Sequence, residues 1–283
     1  MRKKLLLLVI FFVAGLQWSF AQSPVIDSLK KLLNAHPQQD TVRVNLINKL
    51  ALEIRRFDRK QMETYTEEGL KLAQQLNYQK GEGFALMNTA VVDFDKYDYS
   101  AAYANFDKSK QILEKIGDNY DLAILYNRRG RVYMDDGKHA LSLNDYLEGI
   151  KLAEQTGNIR LAIDIKSNVG YLYNILGEYA RAIPYYTEAL NQAKQLGYIS
   201  GMSGSYNAMG KTYKTQGSYP KALQAYQEGL KYDLQSKIPE SIAIAYGNIG
   251  DVYERMANYP EAFKNINWFL SYYVSKPKTE DRK

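Results

Sequence analysis

Residues 206–229 read YNAMGKTYKTQGSYPKALQAYQEG, and the fold is decided in this stretch. Tyr206, Gly210 and Tyr213 stand four and three apart, so they share one face of an α-helix. A glycine between two rings lets a second helix approach closely, and the rings fill the space beside it. Gly217 then ends the helix, because glycine enters the left-handed cap without a Cβ penalty. Beyond it Ala222, Tyr226 and Gly229 form a second stripe at helical spacing. The stretch therefore predicts two helices joined by a tight turn.

The pattern returns every forty residues. Gly130, Gly170, Gly210 and Gly250 continue a series begun by Leu50 and Ala90. Tyr133, Tyr173, Tyr213 and Tyr253 follow three residues later, and Tyr126, Tyr206 and Tyr246 precede the glycines by four. On the second helix, Ala102, Ser142, Ala182, Ala222 and Ala262 keep step with Phe106, Tyr146, Tyr186, Tyr226 and Ile266. An isolated copy cannot bury its apolar face, so the copies must stack. The expected fold is all-α: a right-handed α-solenoid of six helix-turn-helix repeats over 40–276. The copies span about 40–79, 80–119, 120–159, 160–199, 200–239 and 240–276, with helices of sixteen to eighteen residues. Residues 22–39 form a short helix and linker, and 277–283 a polar tail. Arg129 occupies a column held elsewhere by Val169, Met209 and Ile249, which predicts poorer packing in the third copy.

These columns resemble the tetratricopeptide repeat family, through Tyr206, Met209, Gly210, Tyr213, Ala222, Tyr226 and Gly229. The resemblance covers about residues 40 to 276. The repeat is 40 residues rather than the usual 34, and the proline that normally closes the second helix is absent. Longer helices of this kind look like the kinesin light chain and bacterial peptide-receptor branches. With the opening Ile26 to Lys30 and Asp40 to Leu46, the chain is similar to exported repeat sensor regions of Bacteroidota. The resemblance implies binding of a protein or peptide in a concave groove.

Before the repeats, Arg2, Lys3 and Lys4 precede an uncharged, mostly apolar run from Leu5 to Leu16, and Ser19-Phe20-Ala21 follows. This order predicts a secretory signal over 1–21, cleaved to leave Gln22 first. The run is shorter than the roughly 20 residues a membrane-spanning helix needs. With no cysteine in the chain, lipid attachment through a following cysteine is excluded. The expected location is periplasmic or secreted, with no transmembrane segment in the mature chain. The whole sequence has 37 Lys and Arg against 31 Asp and Glu, a net charge of +6. Loss of the three leader cations halves it, too little for a nucleic-acid surface.

Catalytic chemistry has few carriers. His36 lies beside Pro37 in a linker, and His139 takes a column held by Tyr99, Tyr179, Tyr219 and Tyr259. No phosphate loop, dinucleotide turn or zinc-binding helix is present, so no enzyme activity, metal or cofactor is expected. The groove offers more. Two residues before each column glycine stand Asn48, Asn88, Arg128, Asn168 and Asn248, with Asn127 and Asn207 adjacent to the column. Asparagine is a poor helix former, and its amide matches the N–H and C=O of an extended chain. These amides serve either to hold a ligand backbone or to bond a neighbouring helix. Arg128, Arg131, Lys211 and Lys214 join them on the same face, with Tyr171 and Asn174 between. That charge favours an acidic ligand. At the far edge Trp268, Phe269 and Tyr272 replace an outward charged column, a candidate surface for self-association. Two functions fit: a peptide-binding scaffold, or the extracytoplasmic sensor of a signalling system acting with a separate membrane kinase or regulator.

Overall fold

The computed structural model describes residues 24–275. The predicted leader with its cleavage point and the polar tail lie outside the described residues. Helix α1 (Pro24–Ala35) opens the chain. Six hairpins follow, beginning with α2 (Thr41–Ile54) and α3 (Arg59–Gln75), then α4 (Gln79–Asp95) and α5 (Tyr99–Lys115). The central pairs are α6 (Asn119–Asp135) with α7 (His139–Gln155) and α8 (Ile159–Ile175) with α9 (Tyr179–Leu196). The last are α10 (Ile199–Thr215) with α11 (Tyr219–Ser236) and α12 (Pro239–Arg255) with α13 (Tyr259–Ser275). All thirteen elements among the described residues are helices, stacked as an α-solenoid. Helices α3 to α13 have 17 or 18 residues. Helix α2 has 14, because the Asp40 side chain accepts from the Arg43 N–H and starts the helix late.

The glycine column does what its spacing implies. A Cβ at Gly170 would lie 2.5 Å from the Tyr186 ring, and one at Gly210 would lie 2.7 Å from Tyr226. Tyr146, Tyr186 and Tyr226 are fully buried against these glycines. Each such ring stabilises the hairpin by roughly 2 kcal/mol from area alone. The turns carry left-handed glycines at Gly137, Gly177 and Gly217, with φ of 74°, 76° and 79°. In the second and sixth hairpins the same turn is made by Tyr97 and Ala257, at φ of 64° and 56°.

Arg129 departs from expectation. It is buried, yet Nε and Nη2 donate to Asp145 at 2.8 and 3.0 Å, and Nη1 donates to Asp107 at 2.7 Å. A bidentate carboxylate satisfies a planar guanidinium, so the third copy replaces an apolar contact by an ion pair. Lys166 repeats the device one copy later. It stands where other copies hold Tyr126, Tyr206 and Tyr246, and joins Glu154 on α7 to Glu188 on α9 at 2.7 and 2.6 Å.

The two ends differ. Helix α1 buries Ile26, Leu29 and Leu33 in the first core cluster and covers the start of the array. At the other end α13 leaves Phe263 and Leu270 exposed. Their counterparts Leu223 and Leu230 on α11 pack into a core cluster with Ile249 and Val252.

Candidate functional site

Successive first helices from α2 to α10 touch one another while their partners stand behind them. The first helices therefore form the concave side, and the asparagine column runs across it. Its members do not share one fate.

At the N-terminal end the column is internal. Asn48 is 2% exposed and donates to the Gly81 carbonyl at 3.0 Å. Asn88 is fully buried and donates to the Asn48 carbonyl at 2.9 Å. Arg128 Nη1 then donates to Asn88 Oδ1 at 3.0 Å, and its guanidinium lies 4.9 Å from the Phe84 ring centre. Burial lowers the Arg128 pKa to about 10. These three side chains are spent joining α2, α4 and α6, which removes them from a ligand surface. Asn174 is likewise buried, at 9% exposure.

The middle of the face is different. Asn168 Nδ2 donates to Asn127 Oδ1 at 2.9 Å, a bond between neighbouring helices that lies partly open. Tyr171 is 37% exposed, with Lys211 Nζ 4.7 Å from its ring centre. Arg131 is exposed and, like Lys211, has no carboxylate partner among the described residues. Lys214 is committed elsewhere: it pairs with Asp251 at 2.5 Å, and Asp251 also takes Arg255 at 3.0 Å. The charges of the fifth and sixth copies therefore compensate each other. That pair depresses the Asp251 pKa despite partial burial.

Asn207 turns toward α11, donating to Ser203 Oγ at 3.2 Å, and Ser203 donates to Asp233 at 2.5 Å. Asn248 is half-buried on α12. At the edge, Trp268 is 56% exposed and stacks on Tyr246 with ring centres 5.1 Å apart. Phe269 instead packs over Gly247, where a Cβ would meet its ring at 2.9 Å, and Tyr272 is half-buried.

One feature of the concave side escapes a reading by columns. A cavity of about 630 Å³ opens at the first turn, lined by Leu52, Glu53, Arg55, Arg56, Phe57 and Arg59, with Arg131 from α6. The signal available in the sequence was Arg59, which sits in the column of Tyr99, Tyr179, Tyr219 and Tyr259. Among the described residues no His, Asp or Glu cluster is placed to hold a metal ion, and no helix is long and apolar enough to cross a membrane.

Comparison with known proteins agrees with this geometry. Residues 161–235 and 123–156 each match a tetratricopeptide repeat family model. No curated protein matches the sequence. Among solved structures, a signal transduction ATPase with numerous domains and a tetratricopeptide repeat sensor, from Pyrococcus horikoshii, is similar. It aligns with TM-score 0.68 and 18% identity over 89% of this chain, which spans only 41% of that protein. A Rap protein complexed with competence and sporulation factor aligns at 0.66 and 13% identity, over 88% of this chain and 76% of its own. NprR in complex with its cognate peptide NprX aligns at 0.58 and 16%, over 87% and 77%. Identities this low speak for the fold alone. Residues 123–156 and 161–235 are thus tetratricopeptide repeats, and the same helical-hairpin geometry continues on both sides of them.

Proposed function

We propose that the protein is a non-catalytic scaffold outside the cytoplasm that holds an extended segment of another protein along its concave face. One observation carries this reading. The middle of the face keeps Arg131, Tyr171 and Lys211 exposed, whereas most of the other polar side chains of the groove are bonded within the array. An exposed ring with a cation beside it supplies both contact area and charge for a bound chain. The Rap and NprR structures, each solved with a bound factor or peptide by their descriptions, support a peptide as the ligand class.

The test is capture of the natural partner from the host envelope by the mature chain. Tyr171→Ala with Lys211→Ala should reduce capture at least tenfold with the melting temperature unchanged. Capture at the wild-type level would remove the groove from the account.

A second reading is favoured by the sensor part of the Pyrococcus protein, to which this chain is similar. In it the filled groove signals through a separate membrane kinase or regulator. Association of the mature chain with such a protein only when peptide is bound would select it. We add that the uncovered face of α13, with Trp268, Phe263 and Leu270 exposed, provides a surface for self-association.

A further inference from the structure

We infer that the cavity at the turn between α2 and α3 binds a compact oxyanion carrying at least two charges, presented by the segment held in the groove. This inference rests on the groove reading and adds the chemistry and position of one end of the ligand.

The repeat itself does not call for arginine at these positions. The column of Arg55 otherwise reads Asp95, Asp135, Ile175, Thr215 and Arg255, and that of Arg56 reads Lys96, Asp136, Leu176, Gln216 and Met256. Arg59 replaces a ring that four other copies carry. Arg131 falls in a column that holds Ala51, Val91, Tyr171, Lys211 and Asp251. Three of these columns, those of Arg56, Arg59 and Arg131, carry arginine only where the array brings the first turn and α6 around one cavity, and Arg55 joins them there.

The charge of this cavity is not neutralised from within. Arg55 is committed to Asp95, donating from Nε at 2.8 Å and from Nη2 at 2.6 Å, so it forms the fixed wall. Arg56, Arg59 and Arg131 have no carboxylate partner among the described residues, and Glu53 is the single acid in the lining. Elsewhere the protein pairs its cations closely: Arg129 and Lys166 each take two carboxylates. Arg59 is the first residue of α3, next to Asp58, whose carboxylate caps that helix by accepting from the Gln61 N–H at 2.8 Å. Arg128 lies within electrostatic reach of Arg55, and its pKa is lowered chiefly by burial, with Asp121 opposing the shift and the like charge of Arg55 adding to it.

The geometry selects the ligand. Guanidinium groups present paired N–H donors that match carboxylate or phosphate oxygens, and several around one cavity favour more than one negative charge. Phe57 and Leu52 supply an apolar side, which suits an oxyanion attached to a chain more than a fully hydrated one. The volume is that of a binding pocket for a small group.

The experiment uses the mature chain and three probes: a fluorescent oligo-aspartate peptide, its oligo-asparagine counterpart, and inorganic pyrophosphate as competitor. Arg56→Gln with Arg59→Gln is the test variant, since both side chains are exposed and the Arg55–Asp95 pair is left intact. The wild type should prefer oligo-aspartate by tenfold or more, and the variant should lose about tenfold per guanidinium. Displacement by pyrophosphate would show that free oxyanions occupy the same cavity. Its failure to displace would overturn the inference of a compact oxyanion site. Equal binding of the two peptides by the wild type, or unchanged oligo-aspartate affinity in the double variant, would overturn the inference. The groove reading fails separately, through the Tyr171 and Lys211 variant and natural-partner capture.

Discussion

Gly170 and Tyr186 meet so closely that no side chain can stand between them. A Cβ there would fall 2.5 Å from the ring, and the ring is enclosed and cannot turn away. Gly170→Ala should therefore destabilise the protein by about 1–3 kcal/mol through overpacking, read as a lower denaturation midpoint. Gly204, where a Cβ meets open space, should accept alanine without that loss. The asparagine column calls for the opposite comparison. Asn88→Ala leaves the Arg128 guanidinium without its acceptor and should cost about 1–2 kcal/mol. Asn248→Ala on half-buried α12 should leave the midpoint nearly unchanged. Equal losses at both sites would show that the column has one role throughout. From sequence the two asparagines were equivalent, because a column records spacing along the chain and not which helix lies above it.

At the scale of the element, the hairpin was legible almost completely. Large, small and large residues at helical spacing define the packed face, and a glycine forty residues from the next defines the stop. What the pattern hides is how a copy that breaks a rule is repaired. Arg129 reads as a flaw because its partners Asp145 and Asp107 lie 16 and 22 residues away, on two other helices. Turns that lack the glycine show the same principle from the backbone side. Tyr97 is exposed and holds a left-handed φ of 64°, a conformation that costs an L residue about 1–2 kcal/mol. Replacing Tyr97 with Gly should therefore stabilise the protein by about 0.5–1 kcal/mol after the entropy of glycine is counted. Gly137→Ala, at φ of 74°, should lose a similar amount. A stabilising Gly137→Ala would contradict the cap assignment.

Across the whole molecule, stacking places residues from distant copies around one surface. The arginine cavity draws on the first and third copies and depends on the curvature of the array, which no local pattern encodes. The groove's centre around Tyr171 emerges in the same way, by subtraction of the polar groups that the stack itself consumes. Export belongs to this scale as well. The basic start, short apolar run and Ser19-Phe20-Ala21 predict a mature protein that begins at Gln22. Intact mass of the protein isolated from its host should correspond to loss of residues 1–21; retention of that segment would make it an anchored protein.

The central claim is that ligand lies along the concave face. A photoreactive amino acid in place of Tyr171, activated in the living host, tests it directly against the same group at the exposed, outward Glu148 of α7. The account predicts a discrete covalent adduct with a partner chain from position 171 and none from position 148. Adducts from position 148 alone would place the ligand on the convex side and contradict it.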